Sequence, residues 1–296
     1  MARSGKGNDE GPHGVVVIDK PAGWTSHDVV AKSRGVLGTR KVGHSGTLDP
    51  DATGVLVLGV GKATRLLRFL TELPKSYVGE IVLGTETSTL DAAGDVTAVH
   101  DMAAVTDAQV RAATVPLTGA IEQIPPMVSA VKIDGKRLHE LAREGKEVDR
   151  PARPVTVFRY DVEPVPGEPG VWRCEVDCSS GTYVRTLAAD LGAALGGGAH
   201  LRALRRTAVG GFTLADAGTI EKPVLRPVAD AVRHLDQVVA DEEMAVDVGH
   251  GKRLDRDRLG VGDSAGPWAV SDAAGALLAV YEAHKGATKP ALVIPR

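Results

Sequence analysis

Aromatic side chains are scarce in this chain of 296 residues, which holds 3 Trp, 4 Tyr and 3 Phe. Any Tyr or Trp beside a chemically suggestive motif therefore carries unusual weight. Long apolar runs are also missing: none approaches the roughly 18 residues needed to span a bilayer. The opening MARSGKGNDEGPHG has no apolar signal core, so a cytoplasmic protein is expected. Cysteine occurs twice, as Cys174 and Cys178 within VWRCEVDC. Residues four apart on a strand lie roughly 13 Å from one another, too far for a disulfide. Without a second Cys pair or clustered His, no structural zinc or other metal site is expected. Charge of one sign is lacking as well. Lys plus Arg number 35 against 38 Asp plus Glu, a net charge of -3, which argues against a uniformly basic surface but not against a local basic face. With 43% hydrophobic residues, the chain can bury one large core, or one core and a small satellite, and it is no disordered polymer.

Residues 1–13 read as a disordered tail, and VVVIDK after it as a buried strand. Thr25 and Ser26 suit the N-cap of a helix ending near Gly38. A loop rich in Gly, Ser and Pro from Gly43 to Gly54 leads into the strand VLVLGV. The spacing of Leu66, Leu67 and Leu70 predicts a helix from Lys62 to Leu73, and SYVGEIVLGTE a long strand. A strand, a turn at Asp134-Gly135 and a helix follow in IPPMVSAVKIDGKRLHELAREG. PVTVFRYDVEPV and VWRCEVDCSS read as strands, the second entering a helix capped by Thr182. HLRALRRTAVGGFTL reads as a last strand pair. Irregular alternation with hairpin-like turns favours an α+β mixed sheet over a doubly wound parallel one. From a boundary near 235, AVDVG, PWAVSD, ALLAVYEAH and PALVIPR are short strand candidates for a small β-barrel.

The most informative segment is GHSGTLDPDATGVLVLGVGKATRLL, residues 43–67. Pro50 biases Asp49 toward extended backbone, and Gly43, Gly46 and Gly54 permit tight turns. Such a loop could project a carboxylate into a cleft, although Asp-Pro among glycines is more often only a turn.

This segment resembles the catalytic loop of the bacterial TruB pseudouridine synthases, which isomerise uridine 55 in the TΨC loop of tRNA. The resemblance extends over VIDKPAGWTSHDVV, KSYVGEIVLGTETSTLDAAG, QIPPMVSAVKIDGKRLHELAREG, CSSGTYVRTLAADLG and GAHLRALRRTAVG. It implies a pseudouridine synthase fold, with a central mixed, largely antiparallel sheet flanked by helices. The catalytic domain would span 14–234, and a PUA-like C-terminal barrel 235–296. It also implies an isomerase without cofactor or metal, acting on tRNA as a monomer. The family's essential aspartate falls on Asp49, its active-site tyrosine on Tyr77 and its arginine on Arg185. An Asp49-Arg185 pair would keep the carboxylate oriented and ionised against the desolvation of an enclosed site. Tyr77 is a plausible stacking platform, and a poor base at an ordinary phenol pKa. The resemblance puts Tyr183 and Leu204 in the uracil pocket and Asp91 in the substrate region, and Lys20 is a further candidate substrate contact. His44 falls where the family fills the space left by the flipped uridine.

RNA affinity needs phosphate neutralisation. Between Lys20 and Lys41, five basic residues face Asp28 alone, and between Lys62 and Lys75 four face Glu72 alone. Lys62, Arg65, Arg202 and Arg205 are candidate RNA backbone contacts on these stretches and in HLRALRR. Lys132, Lys136 and Arg137 flank the Asp134-Gly135 turn as a candidate mobile thumb. Residues 240–296 hold seven basic and nine acidic residues, so charge gives the C-terminal unit no RNA role. Two rival readings are a tRNA folding chaperone on the same fold, which the enzyme could also be, and a carboxylate glycosidase. The second acid a glycosidase needs, about 5 to 10 Å away, could only be Asp51.

Overall fold

The computed structural model describes residues 11–129, 131–133, 135–146 and 148–295, and the side chains at 132, 133, 137, 139 and 143 lie outside the described set. Of the expected tail, residues 1–10 lie outside it too. Pro12 and His13 are packed: the Lys62 backbone N–H donates to His13 Nδ1 at 3.3 Å, and a Cβ on Gly61 would meet that nitrogen at 2.0 Å.

The first half of the fold grows from β1 (Gly14–Lys20), α1 (Ser26–Val36), β2 (Val42–His44) and β3 (Thr53–Val60). Val15 to Ile18 and Val55 to Leu58 are all buried, because both faces of these strands are covered. Thr25 caps α1 in a reciprocal box with Asp28. The helix expected over 62–73 is split into a 3-10 turn at Gly61–Leu66 and α2 (Leu67–Thr71). There Thr64 Oγ1 donates to the Gly61 carbonyl at 2.7 Å, a local bond that competes with helical pairing.

Next come β4 (Lys75–Leu83), β5 (Thr85–Thr87), β6 (Val96–Val99), α3 (Asp107–Thr114) and β7 (Gly119–Gln123). The strand, turn and helix expected near 134 are β8 (Lys132–Ile133), β9 (Lys136–Arg137) and α4 (Leu138–Arg143); Asp134 itself lies outside the described set. Then follow β10 (Arg153–Pro164), β11 (Val171–Cys178), α5 (Val184–Ala194), β12 (Ala199–Val209) and β13 (Phe212–Thr213). The α5 cap is Tyr183, not Thr182, whose hydroxyl instead donates to Ser179 O at 3.0 Å.

The main sheet runs β1-β3-β12-β4-β11-β10-β7, with β2 on β3 and β13 on β12. It is the mixed, largely antiparallel sheet expected: its parallel contact joins β3 and β12 at Arg205-Thr53 and Arg206-Gly54. Gly54 has φ +101°, and a Cβ there would lie 2.1 Å from the Arg206 carbonyl. Glycine is required where the strands meet. α5 packs over the sheet with Leu187, Ala188 and Leu191 against Ile81, Cys174 and Val176. Cys174 and Cys178 are buried free thiols, pushed by burial up to about 12 and about 11, so neither is reactive.

The C-terminal unit holds β14 (Asp236–Val239), α6 (Glu242–Gly249), α7 (Arg256–Leu259), β15 (Trp268–Ser271), β16 (Leu277–His284) and β17 (Ala287–Val293). Its sheet order is β14-β15-β16-β17. AVDVG, expected as a strand, lies in α6. Asp241 caps that helix through the Met244 N–H at 2.7 Å, and Met244, Ala245 and Val248 form its buried stripe. Ala269, Leu277, Val280 and Ile294 share one core with Val15, Val17, Val55 and Val57, so this sheet is built into the first half of the fold.

Candidate active site

The loop bearing Asp49 is fastened on both sides. Ser26 Oγ accepts from the Leu48 N–H at 2.9 Å and donates to its carbonyl at 3.1 Å. On the other side, the Pro50 carbonyl accepts from the Gly23 N–H at 3.0 Å and from Lys20 Nζ at 2.7 Å. Arg206, 2% exposed, holds the loop from β12: it donates to the carbonyls of Val55 at 2.7 Å, Thr47 at 3.3 Å and Gly46 at 3.1 Å. Asp49 is thereby fixed between anchored neighbours, a preorganisation that catalysis requires.

Asp49 Oδ2 lies 3.1 Å from Arg185 Nε. Arg185 is nearly buried, and its remaining donors are also used: Nη1 reaches Thr89 O at 3.0 Å and Asp91 Oδ2 at 3.4 Å, and Nη2 reaches Val128 O at 2.8 Å. Asp91 is held in turn by Thr89 Oγ1 at 2.5 Å and the Ala93 N–H at 3.1 Å. The Asp49 side chain keeps 43% of its accessibility but stands in a recess walled by protein. Burial pushes its pKa above the usual 3.8, against the opposing pull of Arg185; Asp91 adds to the rise.

Two recesses meet at Asp49, Arg185 and Leu204. One, of about 230 Å³, is lined also by Tyr77, Tyr183, Lys75 and Arg206. The other, of about 390 Å³, is lined also by Asp51, Asp91, Val128 and Arg202. Tyr77 sits opposite Arg206 on β4 and β12. Burial raises its phenol pKa although Arg206 opposes the shift, so the ring stays neutral, as a stacking surface should. The Tyr183 backbone is clamped by buried Gln123, which accepts from its N–H at 2.7 Å and donates to its carbonyl at 3.1 Å.

His44, at the end of β2, lines neither recess. Its ring meets His27 edge-on at 5.4 Å, its Nδ1 accepts from the Gly46 N–H at 3.3 Å, and burial lowers its pKa to about 4; it is a neutral, uncharged ring. Lys20, expected in the substrate region, is instead 0% exposed. It gives its ammonium protons to the carbonyls of Pro21, Trp24 and Pro50, so it positions the loop and cannot reach a substrate.

The expected RNA contacts divide. Arg65 donates to Val293 O at 2.7 Å, tying the 3-10 turn to β17. Arg202 joins Glu80 and Glu168, and Arg205 joins Asp19 at 2.7 Å; carboxylates already neutralise both. Lys62 is partly exposed. Lys136 is 58% exposed beside Glu144 at 3.5 Å, whereas the side chains of Lys132 and Arg137 lie outside the described set. Arg206, Gln123, Ser26 and Lys75 complete the site; each lies in a segment that carries the resemblance, but none has a role that the sequence alone assigns. Arg206 is visible there only as one charge among three in HLRALRR. Lys75, 6% exposed, caps the end of α2 through Thr71 O at 2.5 Å and Leu73 O at 2.6 Å. Among the described residues no cluster of His, Cys, Asp or Glu could hold a metal ion, and no helix is long and apolar enough to cross a membrane.

Residues 34–184 match the TruB family pseudouridylate synthase N-terminal domain, residues 185–247 the tRNA pseudouridylate synthase B C-terminal domain, and residues 237–295 the tRNA pseudouridine synthase II C-terminal domain. The chain is 46% identical over 294 residues to tRNA pseudouridine synthase B of Arthrobacter sp. (strain FB24), covering 95% of this chain and 96% of that one. It is 48% identical over 290 residues to the protein of that name from Streptomyces griseus, covering 94% and 96%. Among solved structures it resembles a chain of a Cbf5-Nop10-Gar1 complex, with TM-score 0.72 and 28% identity over 96% of this chain and 85% of the other. A chain of an H/ACA RNP bound to a substrate RNA containing 2'-deoxyuridine has the same fold, at TM-score 0.72 and 24% identity over 96% and 85%. With three successive models spanning residues 34–295 and relatives matched end to end, the chain belongs to the TruB family of tRNA pseudouridine synthases, which are isomerases.

Proposed function

We propose that this enzyme converts uridine 55 in the TΨC loop of tRNA to pseudouridine, with Asp49 as the essential carboxylate. The observation that carries the reading is the Asp49-Arg185 contact of 3.1 Å in a recess shared with Tyr77, Tyr183 and Leu204. The target base leaves its stack at a cost of about a few kcal/mol and enters between Tyr77 and Leu204. His44 fills the space the base vacates. A neutral ring suits that insertion, since it carries no charge into the base stack.

Asp49 then acts at the ribose, either by forming a bond to C1' or by taking the C2' proton. The N1–C1' bond breaks and its electron pair leaves on the uracil. The base turns within the recess and C5 bonds to C1' as the Asp49–C1' bond breaks or, on the other route, as Asp49 returns the proton to C2'; the C5 proton is then released, and N1 ends protonated. Arg185 keeps Asp49 ionised and aimed throughout, with Asp91 holding Arg185 in place. The reading takes the chain as a cytoplasmic monomer, without metal or cofactor, in which the same tRNA grip could also assist tRNA folding. The catalytic unit is taken as 14–234 and the C-terminal unit as 235–296.

Release of tritium from C5-labelled uridine in a tRNA transcript tests the proposal. The wild type releases label from position 55 alone, and Asp49→Asn binds the transcript but releases none. Turnover by Asp49→Asn would overturn the role of the carboxylate. Binding without release by the wild type would leave only the folding role.

A further inference from the structure

The recess lined by Tyr77 and Tyr183 has a second charged end, which the chemistry of Asp49 leaves unused. Lys75 and Arg206 both line it, and they are 6% and 2% exposed. The two cations meet at Gly46: a Cβ there would stand 3.7 Å from Arg206 Nη1 and 4.0 Å from Lys75 Cε. Among the described residues neither pairs with a carboxylate. Arg206 donates to the carbonyls of Val55, Thr47 and Gly46, and Lys75 Nζ to those of Thr71 and Leu73. An ammonium has three donors, so Lys75 keeps one N–H beyond those two bonds. Its surroundings face the recess, which is lined also by Thr71 and by Ser180, whose hydroxyl donates to the Thr71 carbonyl at 2.7 Å.

Two buried cations side by side, solvated by carbonyl dipoles alone, call for a negative charge between them. Burial, and then the Arg206 guanidinium, lower the Lys75 pKa from 10.5 to about 8. The ammonium is thus still charged at neutral pH, at a cost that an anion in the recess offsets.

The proposed reaction makes such an anion. When the N1–C1' bond breaks, the electron pair that leaves on the uracil spreads over O2 and O4. Lys75 is two residues from Tyr77 in β4, on the same face of the strand and about 7 Å along it, so a base stacked on Tyr77 lies beside it. The turn that brings C5 to the place of N1 also exchanges O2 with O4, so a cation beside one carbonyl meets an oxygen before and after the turn. Resting on that reading of the function, we propose that Lys75 is a further catalytic residue, whose ammonium hydrogen-bonds a uracil carbonyl oxygen and holds the negative charge of the detached base. That charge exists only from the breaking of N1–C1' to the making of C5–C1', and Lys75 keeps its proton throughout. Its effect therefore falls on the rate and not on tRNA affinity.

Calorimetric titration of the full chain with 5-nitrouracil, a free base that is an anion near neutral pH, against neutral uracil tests the charge without any substitution. The anion should bind about tenfold or more tightly, and Lys75→Gln should lose that preference. In single turnovers Lys75→Gln should release tritium about a hundredfold more slowly, with tRNA affinity and its salt slope unchanged. Equal binding of the two bases by the wild type, or binding of neither, overturns the proposal even where Lys75→Gln fails to fold. A preference that survives in Lys75→Gln assigns the anion to Arg206 instead, and an unchanged rate removes Lys75 from the chemistry. Lost affinity with a flatter salt slope would make Lys75 a phosphate contact and overturn its role at the base. If the wild type releases no tritium, the reading of the function fails, and the titration still decides whether the recess takes an anion at Lys75.

Discussion

Arg185 stands between two carboxylates, with Nε 3.1 Å from Asp49 and Nη1 3.4 Å from Asp91. A lysine cannot span both and also keep the Thr89 and Val128 carbonyls, because its donors radiate from one nitrogen. Arg185→Lys should therefore lower single-turnover pseudouridine formation by about a hundredfold or more, with tRNA affinity little changed. A fall in affinity with an unchanged rate would make Arg185 a binding residue instead.

The same pair sets a pH dependence. Burial raises the Asp49 pKa above the ordinary carboxylate value, and Arg185 is the largest opposing influence. The proposed reaction needs the ionised form, so activity is present above the raised pKa and is lost as pH falls through it. Removing the cation removes the opposition. In Arg185→Gln the acid limb of the tritium-release profile should move to higher pH, and a limb that stays in place or moves down would show that Arg185 does not act on Asp49.

Lys20 gives a stability prediction of a different kind. Replacing it with Met strands the carbonyls of Pro21, Trp24 and Pro50, at a cost of about 2 to 4 kcal/mol. Burial lowers its pKa from 10.5 to about 8. Between those values the unfolded chain binds more protons than the folded one, so this group's contribution to stability rises with pH across that window. Denaturant unfolding at about pH 7 and about pH 9.5 should show a larger gap between wild type and Lys20→Met at the higher pH; a gap that shrinks would place the folded-state pKa above the unfolded one.

Much of this site was legible because chemistry and motif coincided. Asp49, Tyr77, Arg185, Tyr183 and Leu204 all line the recesses that meet at Asp49. What the sequence concealed was the direction in which each cation points. Lys20 read as a substrate contact, and Arg202 and Arg205 as RNA contacts, by motif, charge and position, yet each is engaged by carbonyls or carboxylates brought near only by the fold. Arg206 shows the converse, since nothing in HLRALRR distinguishes a buried clamp from its half-exposed neighbours Arg202 and Arg205. AVDVG failed for a local reason: four or five residues satisfy a period of 2 or of 3.6 equally, and the Asp241 cap decided for the helix.

The meeting of β3 with β12 can be tested at one atom. A Cβ on Gly54 would stand 2.1 Å from the Arg206 carbonyl, on backbone with φ +101°. Gly54→Ala therefore meets both a steric clash and conformational strain, and should lose about 3 kcal/mol or more. Because Arg206 also holds Gly46 and Thr47, catalysis should suffer even where the fold survives. A fully active Gly54→Ala of wild-type Tm would show that the strands can separate without disturbing Asp49.

Salt dependence separates available cations from neutralised ones. Lys136 is 58% exposed, and the carboxylate it pairs with at 3.5 Å, Glu144, is shared with Lys146 at 2.7 Å, so that trio keeps a net positive charge available to phosphate. Arg202 lies between Glu80 and Glu168, and that trio already carries a net negative charge. Each phosphate that a variant no longer neutralises should reduce the slope of log K against log salt by about 0.7 to 0.9. The pair Lys136→Ala and Arg137→Ala should therefore flatten the slope for tRNA by about one unit or more, whereas Arg202→Ala should leave it unchanged. An unchanged slope in the double variant would remove the thumb from the RNA interface. A flatter slope in Arg202→Ala would mean that RNA displaces its carboxylate partners.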